Sequence, residues 1–340
     1  MRGEKITILL CVNGEKGNNK SILDRKLTAL RYAIESAGLE YTYNYDKHYD
    51  IVHMLNLEQY KAYIGISKHK KANPDAPVIL STFNDYNDFN ILSKTSENNE
   101  KDYMKLISKT YKSLDEVDEI VCNWESQKLI LKHNDLDVKT KVINPGVKDY
   151  VKSNYMPQEL DAFRKYYRIT NNRKIIISYG EYDYSKGMAE LAAVARIMPD
   201  YEFFFFGGKL SSVSHYGKVN NIKNLHIHAH LHRELYHSAI FSTTALFIPY
   251  KYHVDSNMIL EMMKANVPVV AAKCPFLYNL LIDNKTALLG DDVEDFYNCL
   301  KNIETKNYVK EAKIFADQYS IDKYGNNLSE IYHALLLGGK

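Results

Sequence analysis

The chain has 340 residues, 45% hydrophobic and 25% charged, with a formal net charge of +2. That length accommodates two ordinary domains, and the balance of acids and bases excludes a dedicated nucleic-acid binder. Four dispersed cysteines (Cys11, Cys122, Cys274, Cys299) form no CxxC pair, which excludes a zinc ribbon or a redox dithiol.

In the first half, short apolar runs alternate with amphipathic segments. "ITILLCV", "YDIVHML", "PVILST" and "DEIVCNW" read as strands, and "KVINPG" closes the series. "SILDRKLTALRYAIESAG" and "LEQYKAYIGISKHKK" read as helices between them. This alternation predicts an α/β fold with a parallel sheet covered on both faces. The polar stretch 151–172 breaks the rhythm. Residues 1–155 are therefore expected as one Rossmann-like domain and 156–172 as a linker.

The second half, 173–320, repeats the design. Its strands are "KIIISYG", "EFFFFGG", "NLHIHAH", "TALFIPY", "VPVVAA" and a weak "ALLG". "MAELAAVARIM", "RELYHSAIFS" and "NMILEMMK" read as helices, and late helices follow. The last, 321–340, carries Leu328, Ile331 and Leu335 at helical spacing and is expected to cross back to the first domain. Open parallel sheets bind ligands at the carboxyl ends of their strands. Two such sheets facing a cleft would bring those ends together. The N-terminal apolar run is too short for a secretory signal, and no stretch approaches 18 apolar residues. The expected location is cytoplasmic.

One acid stands out after the strands. Glu261 lies among Met258, Ile259, Leu260, Met262 and Met263, and looks buried. Read in order, "ISYGEYDYSKGMAEL", "FFFFGGKL" and "LFIPYKYHVDSNMILEMMKANVPVVAA" resemble retaining GT-B glycosyltransferases of family four, the E-x7-E type. That family runs G-R-L-x-x-x-K-G, a Gly-rich turn after a strand, then E-G-F-x-x-x-x-L-E-A-M-A-x-G-x-P-V-V. In the first half, "YDIVHML", "DEIVCNWESQKLIL" and "KVINPGV" are similar to its D-I-V-H, A-D-x-I-V-x-x-S and I-P-N-G-V. The wording is nearest to short Gram-positive enzymes that extend glucosyl-diacylglycerol.

The resemblance implies a two-Rossmann-domain enzyme that uses a UDP-sugar as donor and needs no metal. It places Glu261 on the nucleotide ribose, where an acceptor-only carboxylate suits a diol. It places Lys186 on the diphosphate. Asn257, Met258 and Ile259 begin the same helix, and their free N–H groups are expected to favour a phosphate. Gly207, Gly208 and Lys209 form the turn after "FFFF". Gly14 and Gly17 lie in a loop that in this fold meets the acceptor and the donor phosphates; an ordinary turn is the other reading.

Several positions depart from the pattern. His253 stands where the family has its first Glu, with Asp255 near enough to substitute. Glu181 replaces the Arg of G-R-L, and Asn266 replaces the Gly before P-V-V. After "STF", Asn84 replaces a sugar-contacting His, with Asp85 and Asp88 behind it. Asn84 can hydrogen-bond a hydroxyl but cannot titrate as His does. A retaining front-side displacement needs no protein nucleophile, only positioning and charge stabilisation. His253, Asn84 and Asp85 remain candidate catalytic residues beside Lys186. The alternative is a catalytically silent accessory subunit that supports a partner glycosyltransferase.

Lys101, Lys105 and Lys109 form one helical stripe in "EKDYMKLISKTYKSL", with Lys112 beside it. Two readings stand: a solvated helix face, or a surface lying on an anionic membrane that carries a glycolipid acceptor. His226, His228 and His230 sit two apart on one strand face, with no Cys or acid nearby in sequence to complete a metal site. Asp291 or Asp292 is expected to cap a helix.

Overall fold

The computed structural model describes residues 5–12, 22–55, 73–82, 117–133, 140–170, 172–180, 187–207, 221–250, 254–274, 277–303 and 308–338. The chain divides into two compact units. It leaves the first at Gly146 and returns to it at Ser320.

The first unit is built on a six-stranded parallel sheet, order β2-β1-β3-β4-β5-β6. Its strands are β1 (Thr7–Val12), β2 (Glu40–Thr42), β3 (Ile51–Leu55), β4 (Val78–Thr82), β5 (Glu119–Cys122) and β6 (Thr140–Val142). Helix α1 (Ile22–Ser36) follows β1, and α2 (Glu125–His133) follows β5. The alternation of side chains along β1 explains its unbroken apolar run. Ile8 and Leu10 pack with Leu30, Ala33 and Ile34 of α1, while Leu9 and Cys11 pack on the other face with Val52, Met54 and Leu80. A sheet buried on both faces needs apolar residues at both parities.

The second unit has another parallel sheet, order β12-β11-β10-β7-β8-β9. It begins with two short helices, α3 (Pro157–Leu160) and α4 (Ala162–Tyr166). Strand β7 (Lys174–Tyr179) leads to α5 (Met188–Ile197), β8 (Tyr201–Phe206), β9 (Leu225–His228) and α6 (Tyr236–Ser242). Then come β10 (Ala245–Ile248), α7 (Ser256–Lys264), β11 (Val269–Ala272), β12 (Leu288–Gly290), α8 (Val293–Lys301) and α9 (Tyr308–Asp317). The stretch expected as a linker, 156–172, instead carries α3 and α4. Phe163 is fully buried there, with ring centroids 5.2 Å from Phe204 and 6.2 Å from Phe206. Burying that ring ties the stretch to the second unit.

The final helix, α10 (Ile321–Gly338), lies in the first unit. Tyr324, Leu328, Ile331 and Tyr332 enter the core formed by Ile8, Leu10, Leu30 and Ile34. Close approach to α1 requires Gly325, since a Cβ there would sit 2.2 Å from the Ala33 carbonyl oxygen. Among the described residues no helix is long and apolar enough to cross a membrane.

Strand order singles out one pair of strand ends in the second sheet. In the second sheet β7 is flanked by β8 on one side and β10 on the other. The connections after β7 and β10 lead to opposite sides, which makes this pair the switch point at whose carboxyl ends open α/β sheets bind ligands.

Candidate functional site

The carboxyl ends of β7, β8 and β10 are held together by backbone contacts that only glycine permits. A Cβ at Gly207, after β8, would meet the Gly180 carbonyl oxygen at 1.3 Å. Gly187 caps the start of α5 in the left-handed region, with φ of 66°. A Cβ there would come within 2.4 Å of the Pro249 carbonyl oxygen, after β10. Gly187, at the start of α5, thus lies against the end of β10. Tyr250 completes the arrangement, its hydroxyl donating to the Tyr179 carbonyl.

Helix α7 starts from the end of β10 and presents one acid. Ser256 to Leu260 and Met262 to Lys264 are buried. Glu261, expected to be buried, is the exception in this helix and stays partly exposed. A carboxylate that keeps contact with water avoids the large cost of burying its charge. Its Oε2 accepts the hydroxyl proton of Tyr236, which opens α6. At the end of α7, the buried Lys264 ammonium donates to the Val147 carbonyl at 3.1 Å and to Asp149 Oδ1 at 2.7 Å. The cation sits where the helix dipole favours it.

The start of α7 differs from expectation. The N–H groups of Asn257, Met258 and Ile259 are not free. Asp255 Oδ1 accepts from Asn257 N at 3.1 Å and Met258 N at 3.4 Å, and Ile259 N donates to the Asp255 carbonyl. Asp255 is an N-cap, and capping satisfies the donors that a helix start leaves over. An Asp just before an apolar helical run is the signal for this role. Beside it, the buried Asn257 Oδ1 has no hydrogen-bond partner among the described residues.

The helix end explains one departure. Asn266 has φ of 59°, donates to the Met263 carbonyl, and is followed by Val267 N donating to Met262 O. This left-handed C-terminal turn favours Gly, and Asn is the side chain that tolerates it best. Asn266 therefore adopts a backbone conformation that a glycine would also favour.

Gly207, Asn257, Met258, Ile259 and Glu261 all lie in the second unit, on or beside the strand ends just described. Lys186, His253, Asn84, Asp85, Gly208, Lys209, Gly14, Gly17, Lys101, Lys105, Lys109 and Lys112 lie outside the described residues. Gly187, which follows Lys186, touches Pro249. Two participants had no signal in the sequence. Tyr236 and Lys264 find their partners only through tertiary packing.

The histidine run takes a different form. His226 and His228 belong to edge strand β9, and His230 lies beyond it. The first two rings stack on Phe204 at 4.6 Å and Phe206 at 5.6 Å. Glu202 on the neighbouring strand accepts at 2.8 Å from His226 and at 2.9 Å from Arg173. Burial and the neighbouring His226 and His232 push the His228 pKa down. Asp292 caps α8 by accepting from Asp295 N at 2.9 Å.

No protein-family model matches the chain. It is 25% identical over 347 aligned positions to a processive diacylglycerol alpha-glucosyltransferase of Acholeplasma laidlawii, covering 97% of this chain and 98% of that protein. HepE of Anabaena, crystallised in complex with UDP-glucose, matches with a TM-score of 0.73 at 12% identity over 97% of this chain and 100% of its own. Sucrose-phosphate synthase of Thermosynechococcus elongatus matches with a TM-score of 0.74 at 12% identity, over 98% of this chain and all of its own. The resemblance to GT-B glycosyltransferases read from the sequence agrees with these matches, and the α/β fold with two parallel Rossmann-like sheets is that of the solved structures.

Proposed function

We propose that the chain is a glycosyltransferase that moves a hexose from a UDP-sugar to an acceptor hydroxyl, with retention at the anomeric carbon. The observation that carries this reading is Glu261. It is a partly exposed carboxylate on an otherwise buried helix that starts from the carboxyl end of β10. An ionised carboxylate accepts from both hydroxyls of a ribose diol. Lys186 supplies a fixed cation for charge that builds on the departing diphosphate. In this reading the cation is a lysine and turnover survives a metal chelator.

The acceptor in this reading is a membrane glycolipid. The Acholeplasma relative is a diacylglycerol glucosyltransferase, and Lys101, Lys105, Lys109 and Lys112 offer a cationic stripe for an anionic lipid surface. The test is purified protein incubated with a panel of UDP-sugars, UDP-glucose first, and with diacylglycerol and glucosyl-diacylglycerol in vesicles. UDP release and the anomeric configuration of the product are read. Release with one pair and an alpha-linked product from an alpha donor support the proposal. An inverted product removes retention, and absence of both release and UDP binding removes the activity.

A second reading, a catalytically silent subunit supporting a partner glycosyltransferase, has its own observation. Asp255 holds two N–H groups that a donor phosphate would use. The substitutions at Asn84, Glu181 and His253 point the same way. Such a subunit co-purifies with a second transferase and raises that partner's activity. Turnover by the isolated chain removes this reading.

A further inference from the structure

Tyr236 opens α6 with its hydroxyl hydrogen-bonded to Glu261 Oε2 on α7 and 3.5 Å from Met258 Sδ, one turn earlier on the same helix. The ring is fixed by its surroundings. Tyr150 packs edge-on against it, with centroids 6.4 Å apart at 60°. The next residue, His237, packs against Tyr150 at 5.7 Å and Tyr155 at 4.8 Å. Tyr155 in turn meets Phe241 of α6 at 5.4 Å. The segment that carries Tyr150 is tied to α7 independently, through Lys264 and Asp149. Both α6 and α7 are therefore referred to the same short stretch, 147–155, and the hydroxyl has little freedom to leave the carboxylate.

We propose that Tyr236 is a positioning residue that sets the Glu261 carboxylate for a ribose diol. The inference rests on the nucleotide-site reading of Glu261 above. A glutamate at the edge of solvent has several rotamers of similar energy, and a ligand that needs one of them bears the cost of selecting it. A hydroxyl held by packed aromatic rings selects the rotamer before the ligand arrives. A carboxylate has about four lone-pair sites, so one bond from Tyr236 leaves capacity for two ribose hydroxyls. The tyrosine touches the carboxylate and not the ligand. Its effect therefore appears only for ligands that Glu261 contacts.

That dependence gives the test. UDP and 2′,3′-dideoxy-UDP are titrated calorimetrically into the wild type, Tyr236→Phe, Glu261→Gln and the double variant. Phenylalanine keeps the ring and its packing and removes only the hydroxyl. The expected result is about a 3- to 10-fold loss of UDP affinity in Tyr236→Phe, the range expected when the ligand must itself order one side chain. The dideoxy nucleotide should lose nothing, and Tyr236→Phe should add no further loss to Glu261→Gln. In turnover, the donor KM should rise while kcat stays unchanged. Equal losses for both nucleotides mean that the hydroxyl only supports the fold, and unchanged UDP affinity means that it positions nothing; either overturns the proposal. A wild type that binds both nucleotides alike overturns the ribose reading itself, and this inference with it.

Discussion

His53 Nδ1 lies 2.7 Å from the hydroxyl of Tyr332, a residue 279 positions later in the sequence. Its Nε2 lies 2.7 Å from Ser81 Oγ on the adjacent strand. All three side chains are fully buried, and the chain of contacts joins β3, β4 and the returning helix α10. A neutral imidazole donates from one nitrogen and accepts at the other, so both contacts are satisfied without a buried charge. Tyr332→Phe leaves one ring nitrogen without its partner. The expected cost is about 1–3 kcal/mol, read as a lower urea midpoint for the first unit. An unchanged midpoint would show that the hydroxyl contributes nothing.

The same ring makes stability depend on pH. Burial holds the His53 pKa down at about 3, against about 6.5 for an exposed histidine. Below pH 6.5 the unfolded chain takes up a proton that the folded chain refuses until about pH 3. Stability is therefore fully present above pH 6.5 and lost as the pH falls toward 3, by about 1.4 kcal/mol per unit. Urea unfolding at pH 7.0, 5.5 and 4.5 should show this slope in the wild type and a shallower one in His53→Asn. Equal slopes would sink the assignment.

Parallel strands announce themselves because both faces are covered. "ILLCV" and "FFFF" have no polar register, and the structure buries both parities. The strand β2 was silent for the opposite reason: at a sheet edge Glu40 is exposed, Tyr41 and Thr42 are half-buried, and the three form no apolar run. Helices α3 and α4 are too short for a 3.6-residue period to show, and Phe163 is the one fully buried residue between them. Glu261 stood out in the sequence as an acid within an apolar helical run, but its partial exposure was not legible there, and the left-handed turn at Asn266 was read only as a departure from a glycine. Tyr236 was not, because its partner lies 25 residues away and no local pattern links two helices separated by a strand. Lys264 carried no signal either, since its partners lie more than a hundred residues earlier, and only 2% of it is exposed.

If Glu261 receives a ribose diol, Glu261→Ala should weaken UDP binding by about 1.5–3 kcal/mol, because hydrogen bonds to a charged group are lost. The residue is partly exposed, so the variant should keep its fold and its melting temperature. Calorimetry showing wild-type affinity in the folded variant removes the nucleotide site from α7.

The lysine stripe separates two acceptor classes. If Lys101, Lys105 and Lys109 lie on an anionic membrane, each contributes about 1 kcal/mol of attraction, and salt weakens the sum steeply. Sedimentation with phosphatidylglycerol vesicles at low and high salt reads this directly. Replacing all three by Gln should abolish binding at low salt. Binding that survives the replacement assigns docking to another surface, and no binding in the wild type favours a soluble acceptor.

If the start of α7 receives the phosphate end of a nucleotide, Asp255 governs how it is received. Its carboxylate holds the N–H groups of Asn257 and Met258, where the helix dipole also favours an anion. A diphosphate arriving there meets a like charge and must displace it, whereas a nucleoside without phosphates does not. Asp255→Asn keeps a side chain that caps equally well and removes the charge. UDP affinity should then rise about tenfold, or ~1.4 kcal/mol, with uridine affinity and melting temperature unchanged. A parallel rise for uridine would point to a general loosening of the helix start. A fall in UDP affinity would reverse the assignment: Asp255 would then contact the donor itself, in the role that His253 leaves open, and the cap would be its resting position.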